Sequence, residues 1–542
     1  MLSTFSGLET MRRALFTNQV ALQTVGHNIA NANTPGYSRQ RVNMTQTEAF
    51  PNPAFNKPGI PGQLGTGVRA GEIERVREAF LDLQFREENH KNGYWGARLD
   101  ALEKMEDILN EPSESNIAKS MDQFWGSLQD LSVNPEDDGA RSVVRQSGIA
   151  LAETARASYE AIEAIQRDYQ SQIKVQEDSM NSILRQINSL NLQIASVEPH
   201  GYLPNDLYDQ RDLLVDELSG YINIGIEPVE SGGMAKASAA GKYDIYLLDA
   251  QGKRMVDGSG DPIRLIDSSE NKAYVISSNT ATSSVTGKDA VRSIQITDPA
   301  DATANVTVDF TDFSSRGKYQ GTIESFGYIA NPGDATADFV EAGIFSDMLK
   351  ELDVMFSAFI TEFNNVHSDN WSLSEINNNN TKVGIDFFSF DTTLNNSGGY
   401  FAGITKDFNI SQAIRNSRDN IAAAGPTGQA FAGDGSGALL LSGVKDRTLD
   451  FGGNTTNVQS FYQSVIGEMA VDTREARRLE NNTGLLRDSV DQNRKAVSSV
   501  SLDEEMSLMI QFQHAYNASA RNLTAIDEML DRIINGMGVV GR

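Results

Sequence analysis

Apolar residues recur every seven positions at both extremities of this chain. Near the start, Leu8, Leu15, Leu22 and Ile29 stand seven apart, with Met11, Asn18, Val25 and Ala32 at the interleaved three-four positions. Near the finish, Leu502, Met509, Tyr516, Leu523, Leu530 and Met537 repeat in the same way, with Met506, Gln513, Ala520, Asp527 and Ile534 beside them. A helix with such a stripe needs another surface to cover it. The stripes alone leave two readings open: amphipathic helices packed on a globular core, or helices offered to partner molecules in a polymer.

Charge favours pairing of the two ends. Residues 1–45 set Arg12, Arg13, Arg39 and Arg41 against Glu9, a net of +3. Residues 498–542 set Asp503, Glu504, Glu505, Asp527, Glu528 and Asp531 against Arg521, Arg532 and Arg542, a net of −3. The whole excess of −27 therefore falls on the residues between. Such a body repels phosphate backbones and anionic lipid, so nucleic acid is not an expected partner. With 542 residues and 39% hydrophobic content, the chain has material for roughly two to four domains. The absence of Cys rules out disulfides, thiol nucleophiles and thiolate metal sites. Glu9, Arg12 and Arg13 interrupt any apolar leader core, and no run reaches the roughly 18 apolar residues of a membrane span. By those signs the chain is cytoplasmic with no membrane insertion, and export without a cleaved leader stays open.

Along the chain, the first helix is expected to run to about Asn33. There Thr34-Pro35-Gly36 stops it in a type II turn, with Pro35 presetting the first corner and Gly36 taking the positive φ of the second. The segment from Tyr37 to Val68, with Pro51, Pro53, Pro58 and Pro61, reads as an extended connector. Helices are expected over Ala79–Leu109, near Ile117–Leu131, over Arg141–Val197 and over Asn205–Ile224. The third carries Met180, Ile183, Ile187, Leu190, Ile194 and Val197 in three-four steps and is long enough to demand a rod-like body. Alternation at Ile294 and Ile296, and at Val306, Val308 and Phe310, predicts an inserted all-β domain over 225–338. A helix resumes over Phe339–Val366. Residues 367–455 are a mixed segment with loops at the Asn377–Asn380 run and at Gly425–Gly437, and the last helix covers Val458–Ile534 with a break near Gly484.

The resulting architecture is an α+β multidomain chain: an elongated rod of long helices or coiled coil drawn from both halves, an inserted all-β domain, and mobile terminal heptad helices. Its parts are 1–50, a terminal helix and turn; 51–224, the first half of the helical body; 225–338, the β insert; 339–497, the second half; and 498–542, the C-terminal helix. The nesting places the two ends together and the insert away from them.

Catalytic chemistry finds no foothold. His27, His90, His200, His367 and His514 have no partner at ligand spacing, so a metal site is not expected. Gly433-Asp434-Gly435-Ser436-Gly437 lacks the Lys-Ser/Thr of a phosphate loop and reads as a flexible connection. No cofactor and no enzyme activity are expected. The run Asn28-Ile29-Ala30-Asn31-Ala32-Asn33 places three poor helix formers at a helix end. Asn33 with Thr34 is a plain cap and turn on one reading; on the other, the amides of Asn28, Asn31 and Asn33 hydrogen-bond across subunits and fix register.

The segment GHNIANANTPGYSRQ at Gly26–Gln40 resembles the N-terminal signature of the flagellar axial family, the rod, hook and hook-associated subunits. Further segments resemble its FlgK branch of hook-associated proteins. They are GTGVRAGEIERVREAFLDLQFR at Gly65–Arg86, FWGSLQDLSVNPEDDGAR at Phe124–Arg141, NDLYDQRDLLVDELS at Asn205–Ser219, FNNVH at Phe363–His367, GIDFF at Gly384–Phe388, and SLDEEMSLMIQFQHAYNASARNLTAIDEMLD at Ser501–Asp531.

The resemblance implies a secreted, non-enzymatic structural subunit at the hook–filament junction, polymerising through its terminal helices and connecting hook to filament. Implied partners are itself in a ring, hook protein, the next hook-associated protein, and a flagellar export chaperone with the type III export apparatus. The assembly residues it points to are Leu8, Leu15, Asn18, Leu22, Asn28, Ile29, Asn31, Asn33, Pro35, Gly36 and Tyr37 at one end. At the other they are Leu502, Met509, Tyr516, Leu523 and Leu530, which also serve the chaperone. Another axial subunit, such as hook or distal-rod protein, is the nearest alternative, and a secreted coiled-coil adhesin the alternative of a different class. Stripe residues worth about 1.5–3 kcal/mol each when buried do not offset ordering some thirty residues at about 1–2 kcal/mol each, so both ends are expected to order only against neighbouring subunits.

Overall fold

The computed structural model of the chain describes residues 5–51, 55, 62–109, 116–331, 339, 341–378, 381–391, 396–397, 400–426 and 431–536. Met537, Pro53, Pro58, Pro61, Asn379, Asn380 and part of the Gly425–Gly437 stretch lie outside the described residues. The order is α1 (Phe5–Ala30), β1 (Gln40–Gln46), β2 (Val68–Arg75), α2 (Ala79–Leu109), α3 (Ile117–Val133), α4 (Asp138–Val197) and α5 (Asn205–Tyr221). Next come β3 (Ile224–Val229), β4 (Lys242–Leu247), β5 (Arg264–Asp267), β6 (Lys272–Ala273), β7 (Val275–Thr282), β8 (Asp289–Asp298) and β9 (Asp301–Asp309). Then follow α6 (Lys318–Phe326), β10 (Tyr328–Ile329), β11 (Glu341–Ala342) and α7 (Ile344–Asp369). Short strands and helical turns fill 371–456, and α8 (Val458–Ser498) and α9 (Leu502–Gly536) complete the chain.

The spine is α4. Asp137 caps it by accepting from the Gly139 and Ala140 amides, and its 60 residues span about 90 Å at 1.5 Å per residue. Its buried line runs through Leu151, Ala155, Tyr159, Ile162, Tyr169 and Ile173. Gly148 is needed where the helix passes Phe387, whose ring lies 2.9 Å from where a Cβ would stand. One continuous apolar core runs from α2 and α3 through α4 to the strands, α7 and the start of α8.

Beside α4, an aromatic cluster of Phe124, Trp125, Phe359, Phe363, Phe387 and Phe388 joins α3 to α7. Asn364 holds it in register: its Oδ1 accepts from the Phe387 and Phe388 amides at 3.1 and 2.9 Å, and its Nδ2 donates to the Phe388 carbonyl at 2.8 Å. Three of the motif segments thus meet in the core.

The strands form a four-stranded antiparallel sheet β3-β4-β5-β6 and a five-stranded sheet in which β8 pairs with β7, β9 and β10. Amides of α4 close both sheets by copying a strand: Asn181 exchanges two hydrogen bonds with the Ile276 backbone (2.8 and 2.9 Å), and Asn191 two with Tyr243 (3.1 and 2.9 Å). The β region is therefore welded along the spine. It is not wholly remote from the chain ends, because the β3–β4 connection reaches the β1–β2 ribbon through Ser238 Oγ to Glu72 (2.7 Å) and Lys236 Nζ to the Gly71 carbonyl (3.2 Å).

Several boundaries differ from expectation. The connector after Tyr37 is in part a paired ribbon, with β1 antiparallel to β2 from Gln40↔Arg75 to Gln46↔Val68. The β region contains a helix, α6; Gly317 just before it and Gly321 within it approach backbone so closely that a Cβ would collide with the Tyr221 and Tyr94 carbonyls. The helix expected from Phe339 starts at Ile344 because β11 precedes it. The last helix is unbroken at Gly484, which serves close contact with Asn92 on α2. The break comes instead after Ser498, whose carbonyl accepts the Arg39 amide at 2.8 Å, and Ser501 then starts α9.

Candidate assembly site at the joined chain ends

The two ends meet in an antiparallel pair. Gly7 of α1 lies against Ile526 of α9, and Asn28 near the other end of α1 reaches Glu505. Both terminal segments are thus helical and paired within one chain, which differs from the expectation that only neighbouring subunits would cover them. The opposite charges of the two ends and the Asn28–Glu505 contact account for the pairing.

Cover is partial, and it does not centre on the predicted stripe. The buried residues of α1 are Thr17, Ala21, Thr24, Val25 and Asn28, turned around the helix from the leucines. Leu8, Leu15, Asn18, Leu22 and Ile29 are half-buried. On α9, Leu530 is buried, Met509 and Leu523 are half-buried, and Leu502 and Tyr516 are exposed. Phe5 and Phe16 on α1, and Met506, Ile510, Met529, Ile533 and Ile534 on α9, also face solvent.

The signature loop is a bonding centre built on Asn28. Its Oδ1 accepts from the Gln40 amide (3.0 Å) and the Tyr37 hydroxyl (2.8 Å); its Nδ2 donates to the Gln40 carbonyl (2.8 Å) and to Glu505 Oε2 (3.0 Å). Every bonding position of that amide is used inside one chain. Asn31 donates to the His27 carbonyl at 3.1 Å and accepts from Thr34 at 3.2 Å, which ends α1 at Ala30, three residues before Asn33. Asn33 and Pro35 are exposed. Gly36 has φ +78°, with Leu213 of α5 at 3.2 Å from a would-be Cβ, so both backbone and space require glycine. Burial, helped by Asp206, Asp209 and Glu505, raises the Tyr37 hydroxyl above its ordinary pKa. It stays a donor to Asn28.

Beneath this loop lies an ion cluster that the sequence reading missed. Arg75 pairs with Asp209 (2.9 Å) and Asp212 (2.8 Å), Arg77 with Asp82 (2.8 Å) and Asp212 (3.0 Å), and Arg86 with Asp216 (2.7 Å). Arg494, near the end of α8, joins Asp216 and comes within 3.6 Å of Asp82. The cluster ties the ribbon, α2, α5 and α8 together, and Asp209 also accepts the Ser38 amide at 2.9 Å. Burial alone raises the Asp212 carboxyl, but Arg77, Arg75 and Arg86 outweigh it and hold Asp212 below the usual carboxylate range. For Asp209 burial wins and the shift is upward. The legible signal was the spacing of Asp209, Asp212 and Asp216, which puts three carboxylates on one face of α5. Arg39 completes the join to α9 through Glu505 (2.7 Å) and Glu504 (2.8 Å).

Among the described residues no group of three or more His, Asp or Glu is placed to hold a metal ion. No described helix is long and apolar enough to cross a membrane.

Comparison with known proteins agrees with this organisation. Residues 102–388 match the family model of the flagellar hook-associated protein FlgK helical domain. Residues 8–37 match that of flagella basal body rod proteins, and 493–536 that of the flagellar basal body rod FlgEFG protein C-terminal region. The chain is 42% identical to flagellar hook-associated protein 1 of Bacillus subtilis over the full length of both. It is 25% identical to that of Escherichia coli over 95% of this chain and 97% of the other. The structure of the flagellar hook junction protein FlgK from Burkholderia pseudomallei superposes with a TM-score of 0.56 at 13% identity, covering 77% of this chain and all of that one, which shows a shared fold. The chain belongs to the FlgK family of flagellar hook-associated proteins.

Proposed function

We propose that this chain builds the hook–filament junction by polymerising through its paired terminal helices. Family membership makes it an exported structural subunit of the bacterial flagellum, located at that junction, which self-assembles and meets other axial proteins. The observation that carries the mechanism is the half-covered helix pair. Phe5, Phe16, Met506, Ile510 and Ile534 are 61, 60, 57, 54 and 65% exposed, a concentration of apolar surface that marks an interaction site. Adjacent copies cover these faces, while the acidic body forms the outer wall of the joint.

The role is structural rather than catalytic. Hook protein lies on one side and the next hook-associated protein on the other. Before assembly the partly exposed stripe of α9, Leu502, Met509, Tyr516, Leu523 and Leu530, is the surface for a cytoplasmic export chaperone that delivers the chain to the type III apparatus. Deleting the gene tests the reading: cells should build hooks without filaments and release flagellin into the medium. Normal filaments in the deletion strain would refute it.

A further inference from the structure

An apolar groove of about 230 Å³ opens between α1, β1 and α9. Val25, Val42, Met44, Leu508 and Phe512 line it; Arg39 and Glu505, paired with each other, also border it, and the exposed Arg41 stands at its rim. Since a cavity of roughly 150 Å³ holds a benzene ring, this one has room for a large aliphatic side chain. We infer that the groove receives the far end of α9 from a second copy of this chain, with Ile534 inserted and Asp527 and Asp531 meeting Arg41.

Charge selects this occupant. Asp527, Asp531 and Ile534 stand at i, i+4 and i+7, on one face of α9, and all three are exposed. Ile534 is therefore an acid-flanked apolar residue, complementary to a groove with a cation at its rim. The other exposed candidates fit worse. Phe16 on α1 shares its face with Arg12 and Arg13, which would meet Arg41 with like charge. Ile510 has no acidic residue three or four positions away, and Met506 has only Asp503. The groove lies at the start of α9 and Ile534 near its last described turn, roughly 35–40 Å apart along the helix. The contact is thus head-to-tail, the type that propagates an assembly rather than closing a pair.

This inference rests on the proposed polymerisation through the chain ends and names the contact made there. The chain has no Cys, so introduced cysteines report cleanly. Met44→Cys and Ile534→Cys chains, co-expressed in cells lacking the native gene, should give disulfide-linked dimers in oxidised isolated flagella that neither variant gives alone. Assembled flagella without that mixed dimer would overturn the inference. A charge exchange gives a second reading. Arg41→Glu should cut filament number about tenfold or more through like-charge contact, and adding Asp527→Lys with Asp531→Lys should restore it. Normal filaments with Arg41→Glu alone, or no restoration by the combined change, would also overturn it. If Leu15→Asp cells build normal filaments, the polymerisation reading itself fails; if they do not, while the cross-link or the exchange is negative, only the groove assignment fails.

Discussion

Asn28 shows how much of the join between the chain ends depends on single groups. Its amide is 1% exposed and satisfies both backbone groups of Gln40 as well as Glu505 and Tyr37. Asn28→Ala takes the side-chain partner from both backbone groups of Gln40, at about 1–3 kcal/mol for each buried group left unsatisfied, while Tyr37 keeps His27 and Glu505 keeps Arg39. Faster hydrogen exchange of the Gln40 amide and a loosened α1–α9 pair should follow; an unchanged Gln40 exchange rate would contradict this role. His367 supplies a pH signature in the body. Its Nδ1 bonds to the Ile385 carbonyl at 2.6 Å, while Nε2 accepts the Ala422 amide at 3.0 Å. Burial, with Arg141 adding, outweighs Ile385 and Glu375 and lowers its pKa to about 4; protonation would break the Ala422 bond. An unfolded histidine titrates near 6.5. The stabilisation is therefore full above about pH 6.5 and is lost as pH falls toward 4, on the order of 3 kcal/mol in total. The buried carboxyl of Asp353, raised by burial, acts in the opposite sense. The contribution is thus read as a difference: the melting temperature of His367→Gln should fall less steeply than that of the parent chain between pH 6.5 and 4.

At the scale of elements, stability is unevenly distributed. The spine α4 is buried along most of its length by α2, α3, α5, α6 and the sheets, whereas α9 meets mainly α1 and, among the described residues, has three below a tenth exposed, Glu505, Ser519 and Leu530. Hydrogen exchange on the monomer should therefore show strong protection around Leu151–Ile194 and weak protection across α1 and α9, since locally opening units are those with the fewest buried contacts. Equal protection would mean that the ends are part of the core. Leu15→Asp or Leu523→Asp, both on half-buried positions, should leave the β region folded and abolish incorporation at the hook tip. The helices were legible because their signals are local: a 3.6-residue period, Pro and Gly punctuation, and an Asp137 cap. Their breaks were harder to read. The end of α8 depends on an Arg39 amide more than 450 residues earlier in the chain, and the glycines at 93, 148 and 484 mark close approach to other elements rather than interruption. The buried face of α1 was misplaced for the same reason: Thr17, Ala21 and Thr24 are small enough to lie against the ribbon, a property that a search for large apolar residues passes over.

Whether the ends are appendages or part of the globule is decided by where the connections concentrate. The continuous core starts at α2 and reaches Ala476 of α8, and the ion cluster of Arg75, Arg77, Arg86 and Arg494 with Asp82, Asp209, Asp212 and Asp216 closes that body just inside the two ends. Beyond the cluster, α1 and α9 rest on each other and on the ribbon. A chain comprising residues 38–498 keeps the ribbon, Ser38 and every charge of the cluster, and loses the terminal pair together with the signature loop through Tyr37. It should fold as a monomer whose melting temperature lies within a few degrees of the full chain, because the groups removed cover little of the core. Arg494→Gln in the same background should cost more, about 1.5–3 kcal/mol, since it removes a charge-assisted bond to Asp216, which keeps Arg86, while Asp82 keeps Arg77. The shortened chain should nonetheless fail to restore filaments to cells lacking the gene. Stable folding together with lost assembly would separate the two roles of the sequence; cooperative unfolding on removal of the ends would show that α1 and α9 hold up the body as well as join it to its neighbours.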